Sequence, residues 1–378
     1  MKPLVAIACG GTGGHLFPGV AVGEELVAGG CDVLLLTSQK EIDQNAVRPQ
    51  PGIAVAALPA VGFSRARVFQ FCRGFANSLT AVRALFRKRA PQAVLAMGGF
   101  TSASPVLAGK TCGAVTFLHE SNTIPGRANR WLSHIVDQAF VGFPSAANRL
   151  YTRNVVSTGT PVRPQFQATE PSSARIALGL APDRPIALIM GGSQGARPIN
   201  QLMEATLPAL MQKAPELQYI HLTGNADFDR VRDAYGRLSC RAVVRPFLTE
   251  MDLALGAATF AISRAGASSL AEFAAMRLPA ILIPFPAAAD NHQLHNARAF
   301  AEAGAAMLLE QKRATPERLI ELVGQFIANP EACAAMRNEL VRWHAPRANQ
   351  QIAQRILALL KAYGLDEPAV APYAAHAA

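Results

Sequence analysis

Residues Leu4-Val5-Ala6-Ile7-Ala8-Cys9-Gly10-Gly11-Thr12-Gly13-Gly14-His15 decide the fold. A short apolar run, long enough for one buried strand, stops at glycines, and a helix-like stretch follows from about Gly19. A strand that turns through glycines into a helix leaves backbone N–H groups free at the positive end of the helix dipole, which is a site for an anion such as phosphate. One such turn is a weak signal, because glycines also serve plain strand-to-helix turns. The chain repeats it about 180 residues later, where Ile186-Ala187-Leu188-Ile189-Met190 enters Gly191-Gly192-Ser193-Gln194-Gly195-Ala196. Two turns, each opening a half of similar size, predict two α/β domains facing a nucleotide-bearing ligand in a cleft.

Working outward, the first half alternates strand and helix patterns. Strands are expected at Leu4–Ala8, Val33–Thr37, Ile53–Leu58, Ala93–Met97, Val115–Leu118, Gln138–Val141 and Val155–Ser157. The second half repeats the rhythm at Ile186–Met190, Tyr219–Thr223, Ala242–Arg245, Phe260–Ser263, Ala280–Ile283 and Ala306–Leu309. Short apolar strands separated by helical segments are the pattern of a parallel sheet with crossovers. The paired prolines of Gly159-Thr160-Pro161-Val162-Arg163-Pro164 mark the break. Domains are therefore expected at 1–163 and 164–340, with a C-terminal helix at about 341–362 packing back on the first. The tail 364–378, rich in Ala and Pro, is expected to be disordered.

Half of the 378 residues are hydrophobic, ample core for two domains. No apolar run reaches the ~18–20 residues of a membrane span, and the N-terminal run is shorter than the ~7–15 of a signal peptide. The six cysteines show neither Cys-x-x-Cys pairing nor metal spacing, which fits a reducing compartment. Residues 1–165 carry 16 Lys and Arg against 7 Asp and Glu, and no acidic residue falls between Asp43 and Glu120. That window holds Arg48, Arg65, Arg67, Arg73, Arg83, Arg87, Lys88, Arg89 and Lys110, alternating with Val61, Phe63, Phe69 and others. Phe71, Phe75, Leu79, Val82 and Phe86 follow a helical period. Part of that stripe is core. The remainder, ringed by arginines, suits an anionic membrane surface better than nucleic acid, for which no binding module is visible.

With these residues assembled, the chain resembles the MurG family from about Pro3 to about Leu360. The resemblance rests on Gly10–Gly19, Met97-Gly-Gly-Phe-Thr-Ser102, His119-Glu-Ser-Asn122, Gly159-Thr-Pro-Val-Arg163, Gly191–Ala196, Arg264–Glu272 and Asp290-Asn-His-Gln293. Ser121 stands where that family usually has Gln, and Ala265 where Ser is common. The resemblance implies a GT-B fold, two Rossmann-like domains facing a cleft. It also implies inverting transfer of GlcNAc from UDP-GlcNAc to the 4-hydroxyl of MurNAc in lipid I, giving lipid II for peptidoglycan synthesis, and hence roles in cell shape and division. The implied setting is peripheral, on the cytoplasmic face of the bacterial inner membrane. The anionic membrane surface and other cell-wall synthesis proteins are the implied partners, without cofactor or metal.

The resemblance also assigns roles. Ser193 is expected to bind a UDP phosphate, although an N-cap serine would look the same. Arg163 would offset charge on the leaving UDP; otherwise it is a surface arginine after a turn. Glu272 would accept two hydrogen bonds from the ribose diol, and Leu248 would meet uracil through its backbone. Gln293 and Asn122 match positions that contact sugar hydroxyls, and Ala267, Ser268, Ser269, Leu270, Ala271 and Glu272 open a helix beside diphosphate and ribose. Thr12, Gly13 and Gly14 form the acceptor-side loop. His15 and Glu120 are rival candidates for the base that deprotonates the acceptor. His292 and His295 lack a third ligand, and Asp227-Phe228-Asp229 is read as surface rather than a metal-binding Asp-x-Asp.

A dehydrogenase would need Gly-x-Gly-x-x-Gly spacing, which the first loop lacks. A sugar-nucleotide 2-epimerase of the same architecture, or transfer to another lipid acceptor, remains as the alternative.

Overall fold

The computed structural model describes residues 2–11, 13–39, 51–59, 68–168, 170–192 and 195–365. Two parallel sheets organise the chain. In the first, β1 (Leu4–Ala8), β2 (Asp32–Ser38), β3 (Ile53–Leu58), β4 (Ala93–Ala96), β5 (Val115–Glu120), β6 (Gln138–Val141) and β7 (Val155–Ser157) run in the order β3-β2-β1-β4-β5-β6-β7. The second holds β8 (Ile186–Met190), β9 (Gln218–Leu222), β10 (Ala242–Arg245), β11 (Phe260–Ser263), β12 (Ala280–Leu282) and β13 (Met307–Leu308) in the order β10-β9-β8-β11-β12-β13. Each order reverses beside the strand that leads into a glycine turn. That switch point is where open parallel sheets bind ligands, at the carboxyl ends of the strands.

Helices cover both faces. In the first domain these are α1 (Gly13–Ala28), α2 (Val68–Lys88), α3 (Ala103–Thr111) and α4 (Arg127–Leu132). The second has α5 (Pro171–Ala177), α6 (Arg197–Lys213), α7 (Phe228–Arg237), α8 (Met251–Ala257), α9 (Ala267–Met276), α10 (His292–Glu302), α11 (Pro316–Ala328) and α12 (Pro330–Trp343). The last helix, α13 (Ala348–Ala362), returns to the first sheet and adds Ile352, Ile356 and Leu360 to the core containing Val5, Ile7 and Leu35. A β-carbon at Gly19 would lie 2.7 Å from that of Cys9, so glycine lets α1 press against the end of β1.

The domains meet behind the cleft through an aromatic cluster. Phe143 follows β6 and packs edge-on to Phe300 of α10 at 6.1 Å, while Phe300 stacks on Trp343 of α12 at 4.4 Å. Such pairs each contribute roughly 0.5–1.5 kcal/mol beyond burial.

The helix expected from the aromatic stripe is present as α2, and only part of its stripe is core. Val82 and Phe86 are buried, Phe71, Phe75 and Leu79 half-buried, and Phe69 is 92% exposed. Among the basic residues, Arg73, Arg83, Arg87 and Lys88 are exposed. Arg89 is partly exposed and is already engaged, pairing with Asp32 at 2.7 Å and donating to the Lys2 carbonyl. Val61, Phe63, Arg48, Arg65 and Arg67 lie outside the described residues, as do 366–378 of the tail. Among the described residues no helix is long and apolar enough to cross a membrane.

The surface reading of Asp227 needs correction. Its carboxylate is buried, accepting from Asn200 Nδ2 at 2.9 Å and pairing with Arg230 at 2.9 Å, while Asp229 is exposed. Asn200 also donates to the Thr223 carbonyl, and its Oδ1 lies 3.0 Å from Nε2 of buried His221. This network braces the second glycine turn from beneath. Gly195 sits at φ +73°, and a β-carbon there would collide with the Thr223 carbonyl.

Candidate active site

A cleft of about 1930 Å³ lies between the two domains, lined from both sides by residues of the glycine turns. Gly13, Gly14 and His15 contribute from the first domain, Gly191 and Gly192 from the second. Thr12 and Ser193, assigned to these turns from sequence, lie outside the described residues.

The first-domain wall is built around Glu120 at the end of β5. Its buried carboxylate accepts four hydrogen bonds: Asn122 N at 2.8 Å and Asn122 Nδ2 at 3.0 Å on one oxygen, Gly126 N and Asn129 Nδ2, both at 2.9 Å, on the other. A carboxylate that accepts four hydrogen bonds has its lone-pair sites occupied and braces the 121–126 loop. Both rival candidates for the base, His15 and Glu120, line the cleft. His15 stands at the mouth of α1 against Gly98 and Gly99, whose φ values of +105° and +79° only glycine adopts readily. A β-carbon on Gly98 would lie 2.9 Å from His15 Cε1, so these glycines make room for the ring.

The neighbouring His119 is fully buried. Its Nε2 lies 3.0 Å from the Gly159 carbonyl, which fixes the proton there, so Nδ1 accepts from Ser121 Oγ at 3.2 Å. Burial holds its pKa below the ordinary histidine value, so it stays neutral. It ties the Ser121 loop to the segment that carries Arg163.

Arg163 is half-buried, its guanidinium 4.2 Å from the centroid of Phe17 and 4.8 Å from that of Phe166. Its buried Nε has no hydrogen-bond partner among the described residues. Burial lowers its pKa, opposed by the charges of Glu272, Asp252 and Glu24. An arginine packed on two rings, in the cleft that the starts of α1 and α9 also line, is poised for an anion that completes its hydrogen bonding.

Across the cleft, α9 begins at Ala267, and Ala267, Ser268, Ser269 and Glu272 line the wall. Leu270 and Ala271 do not: Leu270 faces the core and Ala271 is absent from the wall, because side chains on a helix turn away every third or fourth residue. Burial pushes the Glu272 carboxyl up to about 7, against the pull of Arg163. Leu248 lines the cleft beside Phe247 and Pro246. Gln293 also lines it, its Oε1 accepting from the Phe285 amide at 2.9 Å, which leaves its N–H groups toward the cavity.

Phe17, Phe166, Asn129 and Arg264 were not singled out from sequence. Phe17 and Arg264 sit inside quoted motifs, but a motif does not reveal which ring stacks on which cation. Arg264 is buried with no carboxylate partner among the described residues, donating to the Ile283 and Pro284 carbonyls and to Gln311 Oε1, and burial pulls its pKa to about 10. It pins the loop that carries Phe285 and so steadies the partner of Gln293.

The comparisons with known proteins fit this geometry. Residues 5–141 match the glycosyltransferase family 28 N-terminal domain, and residues 186–356 its C-terminal domain. The chain is 36% identical over 364 residues to the UDP-N-acetylglucosamine--N-acetylmuramyl-(pentapeptide) pyrophosphoryl-undecaprenol N-acetylglucosamine transferase of Desulforudis audaxviator (strain MP104C), covering 92% of this chain and 96% of that protein. It is 34% identical over 359 residues to the protein of the same name from Anaeromyxobacter sp. (strain Fw109-5), covering 92% and 91%. The solved structure of Acinetobacter baumannii MurG is similar with a TM-score of 0.72 at 25% identity, covering 95% of this chain and 100% of that one. S. aureus MnaA, solved with UDP, shares the fold with a TM-score of 0.71 at 13% identity, covering 95% and 97%.

Proposed function

The chain belongs to glycosyltransferase family 28 and, within it, to the MurG transferases with their GT-B α/β fold, and we propose that it performs their reaction. That reaction is inverting transfer of GlcNAc from UDP-GlcNAc to the 4-hydroxyl of MurNAc on undecaprenyl pyrophosphate, making lipid II from lipid I. The observation that carries the reading is the buried, unpartnered Nε of Arg163 in a cleft that both glycine turns line.

The uridine lies against Leu248, with its ribose diol on Glu272. The diphosphate meets the amides of the 191–196 turn and the start of α9. As the glycosidic bond breaks, negative charge grows on the leaving UDP, and Arg163 and the helix dipoles offset it. Asn122 and Gln293 hold the sugar hydroxyls. His15 takes the acceptor proton, and Gly13 and Gly14 offer amides to the acceptor pyrophosphate. Glu120 acts only through the loop it braces. We place the domain division at 163/164.

The acceptor carries a polyprenyl chain, so the cleft must reach a bilayer. The exposed Phe69 with Arg73, Arg83, Arg87 and Lys88 on α2 supports docking to an anionic leaflet. In a cell this is the cytoplasmic face of the inner membrane, where the product enters wall synthesis for growth and division. A transfer assay with radiolabelled UDP-GlcNAc and a lipid I analogue tests the reading. Labelled disaccharide on the lipid is expected; UDP-ManNAc formed from donor alone would replace it with the 2-epimerase alternative.

A further inference from the structure

We propose that Asn296 is a positioning residue that holds the cleft-facing carboxamide of Asn122 from the opposite domain. Asn296 lies on α10 and is fully buried. Its Oδ1 accepts from both the amide and the hydroxyl of Thr123 at 3.0 Å. Its Nδ2 donates to Asn122 Oδ1 at 3.0 Å and to the Ala265 carbonyl at 3.2 Å. A primary amide has two N–H donors and two acceptor lone pairs, and all four are used here. Three of the four bonds reach into the first domain; the fourth ends just before α9 in the second.

The consequence falls on Asn122. Its Nδ2 already donates to Glu120 Oε1 at 3.0 Å. With Oδ1 engaged by Asn296 and one N–H by Glu120, its orientation is fixed and the second N–H is left for the cleft that it lines. A flipped amide would set a carbonyl against the Glu120 carboxylate and an N–H against the Asn296 donor, both repulsive. Separating the domains removes the Asn296 donor, so Asn122 reads a sugar in full register only in the closed arrangement. This rests on the reading of Asn122 as a sugar contact. UDP alone lacks the sugar, and the groups proposed to hold it do not include Asn122.

The experiment is a double-mutant cycle on the full chain. Transfer to a lipid I analogue and inhibition by UDP are measured for wild type, Asn296→Asp, Asn122→Ala and the double variant. Asn296→Asp keeps the acceptor for Thr123 and turns an oxygen toward Asn122 Oδ1. It should lower kcat/KM for UDP-GlcNAc roughly 5- to 50-fold, the range for losing buried hydrogen bonds, with UDP inhibition unchanged. In the Asn122→Ala background the same change should cost far less. Asn296→Ser, whose hydroxyl falls a bond short of both Thr123 and Asn122, is run in parallel and should lose transfer at least as much; a UDP-induced thermal shift checks folding. Additive losses, or UDP inhibition weakened in step with transfer, would overturn the proposal and make Asn296 a domain fastener only. Failure of wild type to transfer GlcNAc would sink the functional reading instead, and the wild-type arm shows that separately.

Discussion

The Ser268 hydroxyl donates to the carbonyl oxygen of Gly14 at 2.8 Å, joining the first turn of α9 to the glycine turn of the other domain. That carbonyl would ordinarily accept the helical N–H of residue 18, but Pro18 has none to give. A proline inside α1 thus leaves an acceptor at the cleft floor, and the second domain fills it. Ser268→Ala should weaken this closure by about 0.5–1.5 kcal/mol. In kinetics that is a two- to twelve-fold lower kcat/KM, roughly, for the donor, measured at saturating acceptor. An unchanged value would mean that the bond contributes nothing to the catalytic arrangement.

Glu272 sets a pH dependence. Its carboxyl is pushed from 4.5 to about 7 by burial. A raised carboxyl pKa favours the folded protein at low pH; this contribution is fully present below about 4.5 and is lost as pH rises through about 7. Ribose binding has the opposite demand, because the diol donates to the ionised form. The donor KM should therefore rise as pH falls through 7, and Glu272→Gln should abolish that trend. Glu272→Ala should cost about 1.5–3 kcal/mol, mainly in donor KM. A change confined to acceptor KM would remove Glu272 from the donor site.

His15 and Glu120 separate by their pH profiles. Replacing His15 with Gln should lower kcat roughly 10²- to 10⁴-fold, the contribution of a general base, and flatten the acid limb. Glu120→Gln places an N–H₂ among four N–H donors. It should lower the melting temperature and kcat while the acid limb stays where it was. If the limb followed Glu120 instead, the base assignment would be reversed.

On α2, charge reversal at Arg83, Arg87 and Lys88 should release the protein from vesicles containing anionic lipid, each residue contributing about 1 kcal/mol near such a surface. Activity on a short-chain, water-soluble acceptor should persist. Arg89 is left intact because it is already paired with Asp32. Vesicle binding unaffected by the three reversals would end the membrane reading of this helix.

Much of this architecture was legible because its signals are local. All thirteen expected strands are present with ends within about two residues, since each is a short apolar run closed by glycine, proline or polar residues. Helix phase decided finer points. Within the Ala267–Glu272 segment that opens α9, the side chain of Leu270 turns into the core, a detail that helix phase sets and a motif does not show. Tertiary partners were invisible: nothing near Asn296 announces Asn122, 174 residues away, and although the donors to Glu120 lie within nine residues of it, their convergence depends on how the 121–126 loop folds back. Asp227 looked like surface because charged residues surround it in sequence, while Asn200, which holds its other carboxylate oxygen, comes from another helix; Arg230 is three residues away.

The central claim is that one cleft brings donor and lipid-linked acceptor together for a single inverting displacement. The most direct measurement is the linkage and anomeric configuration, by NMR, of the product made from UDP-GlcNAc and a lipid I analogue. A β-linked disaccharide through the 4-hydroxyl of MurNAc is the predicted result. An α-linked product, attachment at another hydroxyl, or conversion of the donor with no glycoside formed would contradict it.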